Sequence, residues 1–122
     1  MPRFGLRRRV ATPTRDYDGF VRSIGELVDA ADAELGRTSD AIGIGLPGVV
    51  ERASGRQLSA NVPALTGQRV GPDLQQRLQR PLHFGNDLQC FALSEAHGGA
   101  AHGHASMFGA ILGTGAGGGF CV

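Results

Sequence analysis

The chain of 122 residues contains no lysine, and all 12 of its long basic side chains are arginine. A Walker A phosphate loop needs its lysine, so that route to nucleotide binding is excluded. Cysteine is scarce: Cys90 and Cys121 lie in apolar surroundings without metal-ligand spacing. Free, buried thiols in a reducing cytoplasm are the expectation. No apolar run approaches the roughly 18 residues that a membrane span needs, and no signal-peptide core is visible. A formal net charge of +1 gives no strong attraction to nucleic acid or to a membrane surface. The one basic cluster, Arg7 to Arg9 after Arg3, has the look of a transit-peptide opening. Val10, Thr12 and Pro13 instead continue it as strand and turn.

What is present alternates between strand and helix over a length that suits one ordinary domain. Phe4 to Thr12 reads as a strand. From Tyr17, apolar residues recur at helical spacing through Phe20, Val21, Ile24, Leu27, Val28, Ala31 and Leu35, with Asp16 as cap and Gly36 as stop. Ala41 to Leu46 is a short strand closed by Pro47-Gly48, and Val49 to Ala60 a hairpin turning at Ser54-Gly55. Pro72 suits the first turn of a helix whose buried side is Leu74 and Leu78. Leu82 to Gly85 is a strand, and Leu88 to His97 reads as a buried helix ended by Gly98-Gly99. A Gly/Ala/His loop precedes the strand Met107 to Leu112. Strands separated by helices predict a layered α/β fold.

Two stretches fit G-x-G-x-x-G. In Gly43 to Gly48 the helix that a dinucleotide site requires is replaced by Pro47-Gly48 and the β-branched Val49-Val50, so a tight turn is the plainer reading. The second, Gly113 to Gly118, is either a ligand-free glycine hairpin or a phosphate-holding one, with the Thr114 hydroxyl able to reach a phosphate oxygen. Asp87 stands between a strand and a helix. Either Asn86 or Asp87 simply caps that helix, or Asp87 accepts a proton from a substrate hydroxyl, where the helix N-terminus favours negative charge. Asn61, in a turn-like setting before Pro63, can bridge two sugar hydroxyls or merely close a turn. His97, His102 and His104 lack acidic or cysteine partners and read as solvated loop residues; His83 has no assigned role.

Taken in order, "RVATPT", "IGIGLPGVVE", "SANVPA", "NDLQCFALSEA" and "ILGTGAGGG" resemble the sugar kinases of the ROK family, from about Arg8 to Phe120. The likeness is to bacterial N-acetylglucosamine kinases in particular. It implies an actin-like, ribonuclease H-like ATPase fold and transfer of the γ-phosphoryl of ATP, with Mg2+, to a sugar hydroxyl. On this resemblance Asp87 matches the catalytic base. Asn61 and Asn86 match sugar-contacting residues beside Gly48, and Gly113, Thr114, Gly115 and Gly117 match the second phosphate loop. The family commonly has "NDAN" where this chain has "NDLQ", so Leu88 and Gln89 change the surroundings of the base.

The resemblance also implies parts that this sequence does not show: a first hairpin with an Asp-x-Gly-Gly-Thr loop, a Glu-x-x-His segment, the cysteine ligands of a structural zinc, and an ATP-holding second lobe. The expectation is therefore part of an N-terminal lobe, cytoplasmic, inactive alone, with sugar and ATP as partners and a homodimer as the full-length state. Alternatives are a sugar-sensing portion of a ROK-type repressor, a fructokinase-like ROK hexokinase, or a truncated gene product. The first strand is expected to lack its sheet neighbours.

Overall fold

The structure is a computed structural model that describes residues 5–112 and 116–122, with the backbone alone at position 116. The chain divides into two compact units, one ending at Phe84 and the other starting at Gly85. The first is built around helix α1, Tyr17–Leu35. The Asp16 carboxylate accepts from the Gly19 N–H at 3.0 Å, and Gly36 closes the helix in the left-handed conformation at φ 69°. Tyr17, Phe20, Val21, Ile24 and Val28 form one stripe of α1 directed at the core, as their spacing predicts.

That core is completed by helix α2, Val70–Leu78, which buries Val70, Leu74 and Leu78. Strand β1, Ile42–Leu46, is hydrogen-bonded to β4, Leu82–Asn86. A small antiparallel hairpin, β2 (Val49–Val50) and β3 (Gln57–Leu58), follows β1 in register Val49 to Leu58 and Val50 to Gln57. Its turn carries Gly55 at φ 72°, as the Ser54-Gly55 pair predicts. A single 3-10 turn at Pro63–Leu65 then drives Leu65 fully into the core. The strand expected over Phe4 to Thr12 does not form between residues 5 and 13. A strand exists only through a ladder partner, and none is present among the described residues. This stretch is held instead by side chains and turns: the Arg8 guanidinium pairs with Glu34 of α1, and Thr14 O accepts from the Ala64 N–H at 3.1 Å.

In the second unit, helix α3 (Asp87–Ala96) lies on an antiparallel hairpin of β5 (Met107–Leu112) and β6 (Ala116–Cys121). The register pairs Leu112 with Ala116, Gly109 with Gly119 and Phe108 with Phe120. Leu88, Phe91 and Ala92 share one face of α3 and rest on Gly117, Gly109 and Gly119 respectively. A Cβ at Gly119 would stand 2.7 Å from Leu88 O, so the glycines of β6 make the flat bed on which the helix docks. The expectation of a buried α3 is corrected: only Ala92 is buried, and Leu93 is 54% exposed. An apolar composition on most sides records what a helix could bury, whereas a two-stranded hairpin covers one side only. The opposite face of the hairpin, with Phe108, Leu112 and Phe120, is turned to solvent.

Candidate functional site

The corner between β4 and α3 holds Asn86 and Asp87. Asn86 is the helix cap: its Oδ1 accepts from the Leu88 N–H at 2.9 Å, and the Gln89 side chain accepts from the Asn86 N–H at 3.3 Å. This reciprocal capping box satisfies orphan donors of the first turn. The capping role falls on Asn86, which leaves Asp87 as the exposed first helical residue. Asp87 Oδ1 accepts from the same Leu88 N–H at 3.0 Å. Gln89 thus fixes the backbone under the carboxylate.

Gly48 and the turn bearing Asn61 come together in the first unit. Gly48 has φ 82°, and a Cβ there would lie 2.0 Å from Leu58 O. Only glycine fits this close, left-handed approach. Asn61 is exposed, in the bend between β3 and the 3-10 turn. Its loop is tied by groups that sequence reasoning missed. Ser59 N–H donates to Thr66 Oγ1, which donates in turn to Ser59 O, each at 3.0 Å. Ser59 Oγ accepts from the Val62 N–H at 3.2 Å. Gln57, 3% exposed, donates through Nε2 to Pro47 O at 2.8 Å, joining this loop to the turn of Gly48. The one available signal was the spacing Gln57-x-Ser59, which places two polar residues on the same side of an extended segment.

Gly117, in β6, faces α3 and lies under Leu88. Gly113, Thr114 and Gly115, the other positions expected to hold phosphate, lie outside the described residues. Among the described residues no group of three or more His, Cys, Asp or Glu is placed to hold a metal ion. No helix there is long and apolar enough to cross a membrane. Both cysteines are free thiols, but Cys90 is exposed and Cys121 half-buried, correcting the expectation of two buried ones. The exposure of Cys90 follows from the uncovered side of α3.

Chemically, the second unit offers a carboxylate at a helix start, the Asn86 amide and a glycine-lined strand, and the first unit by itself offers the Asn61 amide. The sequence model of the ROK family matches residues 4–122. The chain is 46% identical over 114 residues to an N-acetylgalactosamine kinase of a Shewanella species, covering 93% of this chain and 36% of that protein. It is 45% identical over 111 residues to an N-acetyl-D-glucosamine kinase of Photobacterium profundum, covering 91% and 36%. In structure it resembles a ROK family glucokinase of Streptomyces griseus, solved with glucose and AMPPNP. That match has a TM-score of 0.77 at 31% identity, over 93% of this chain and 35% of that one. The chain therefore spans little more than a third of the length of the curated relatives it matches.

Proposed function

Because this chain belongs to the ROK family, with its actin-like α/β fold, we propose that it carries part of the machinery of an ATP:sugar phosphotransferase. The substrate is an N-acetylated amino sugar, foremost N-acetyl-D-glucosamine, phosphorylated at its 6-hydroxyl within a longer polypeptide of which this is a portion of the N-terminal lobe. The observation that carries this reading is the position of Asp87. Asn86 takes over the helix cap, and Asp87 bonds through Oδ1 to a main-chain N–H. Oδ2 is then available to a sugar hydroxyl. The carboxylate accepts the hydroxyl proton as the new O–P bond forms and the bond to the ADP oxygen breaks. Phosphoryl transfer, with its loose transition state, asks chiefly for such positioning. ATP would supply the phosphoryl group, and Mg2+ carried on its phosphates would offset their charge. By the family resemblance, Asn61 of the first unit and Asn86 of the second each carry an amide suited to sugar hydroxyls. Peptide N–H groups of the Gly113–Gly115 stretch, which carries no bulky side chain beyond Thr114, suit phosphate oxygens. The setting is cytoplasmic, and the full-length partner is a second copy.

The test is a chimera in which these residues replace the corresponding region of the Photobacterium profundum kinase. The chimera is expected to phosphorylate N-acetyl-D-glucosamine. Asp87→Asn should lower its kcat by about 100-fold or more, with little change in the sugar KM. An active chimera that tolerates Asp87→Asn overturns the assignment. The isolated chain is expected to give no measurable turnover.

A further inference from the structure

We propose that Leu88 is a positioning residue that couples the Asp87 carboxylate to the glycine-rich strand β6. The proposal rests on the reading above of Asp87 as base and of the β5–β6 hairpin as a phosphate clasp. Three parts of Leu88 are engaged at once. Its N–H donates to Asp87 Oδ1 at 3.0 Å and to Asn86 Oδ1 at 2.9 Å. Its side chain lies over Gly117, where a Cβ would come within 2.6 Å of Leu88 Cδ1 and 3.5 Å of Cδ2. Its carbonyl oxygen lies over Gly119, 2.7 Å from where a Cβ would be.

One residue thus touches the carboxylate at one end and two positions of β6 at the other. Side chains in packed contact occupy discrete rotamers and cannot absorb a displacement continuously. A shift of β6 at Gly117 must therefore move Leu88, and with it the N–H that holds Asp87. Packing alone would need only the leucine side chain. The shared donor on Asn86 and Asp87 makes the same residue part of the base's support. β6 is the second strand of that hairpin, so its placement and that of the base are linked through Leu88.

The test follows the 13C carboxyl resonance of Asp87 in the full 122-residue chain. Gly117→Ala forces Leu88 aside and is expected to move that resonance. In a Leu88→Ala background the same substitution should move it at least about threefold less, because the vacated δ-carbons leave room for the new Cβ. Leu88→Val, which lacks the δ reach, gives the same relief and stands in if Leu88→Ala does not fold. Additive shifts in this cycle overturn the proposal. AMPPNP is then titrated into the active chimera, which supplies the ATP-holding lobe: it is expected to move the Asp87 resonance, and the response should fall by about threefold or more in Leu88→Ala. If the cycle is non-additive and AMPPNP leaves the wild-type resonance unmoved, the phosphate-clasp reading fails and the Leu88 link stands. An AMPPNP response that survives Leu88→Ala overturns the link and leaves the clasp reading intact.

Discussion

The hydroxyl of Tyr17, the first residue of α1, donates to Asp73 Oδ2 of α2 at 2.5 Å. Tyr17 also belongs to the core stripe, so this bond closes the polar margin of a packed helix pair. Burial, then the bond to Asp73 and the negative charges of Asp73 and Asp18, raise its ionisation well above the ordinary tyrosine value. An unfolded chain releases that proton near about pH 10. The contribution is therefore complete below about pH 10 and is lost as pH rises toward the folded-state value. Tyr17→Phe should lower stability by about 1–2 kcal/mol at neutral pH. It should also flatten the alkaline decline in melting temperature that this linkage predicts. As this is the only tyrosine, the comparison isolates one group.

Arg80 and Asp32 form a half-hidden ion pair at 2.8 Å, with side chains 15% and 21% exposed, and Arg80 also donates to Ser39 Oγ at 3.0 Å. Removing Arg80 strands the carboxylate in that recess. Arg80→Met is expected to cost about 2 kcal/mol in urea denaturation. Arg8→Met, at the exposed pair with Glu34, should cost less than about 0.5 kcal/mol. Equal losses at the two sites would contradict this ranking.

Gly48 and Gly36 both have positive φ, at 82° and 69°, but differ in their surroundings. At Gly36 a Cβ meets open space, so Gly36→Ala should cost about 1 kcal/mol of left-handed strain. At Gly48 it meets a main-chain carbonyl, and Gly48→Ala should cost more than about 3 kcal/mol. The β2–β3 amides should then lose their protection in hydrogen exchange.

These residues also mark how far the sequence was legible. Asp16 and Gly36 bound α1 because caps act locally, and Ser54-Gly55 turns its hairpin for the same reason. The stretch before Pro13 has a β-like composition but forms no strand, because a strand depends on a neighbour that composition cannot supply. α3 is apolar on most sides yet buries only Ala92, because composition does not say how many sides receive cover. At the site, the corner of Asn86 and Asp87 was visible as an alternative between cap and base. The structure gives the cap to Asn86 and leaves the neighbouring carboxylate exposed. Gln57, Ser59 and Thr66 leave little local signature in the sequence, because each bonds to main chain brought near only by folding.

The hairpin's outer face has a practical consequence. Phe108 and Phe120 stand directly opposite one another, 65% and 67% exposed, with Leu112 at 82% on the same side. Such a patch is expected to draw copies of the folded chain together. Sulfate strengthens apolar burial, so it should raise the melting temperature while lowering the concentration at which light scattering first reports clusters. Phe120→Glu should move that threshold upward and leave the melting temperature nearly where it was, because the side of the hairpin that bears α3 is untouched. For this chain, a higher melting temperature and a longer shelf life are expected to pull in opposite directions.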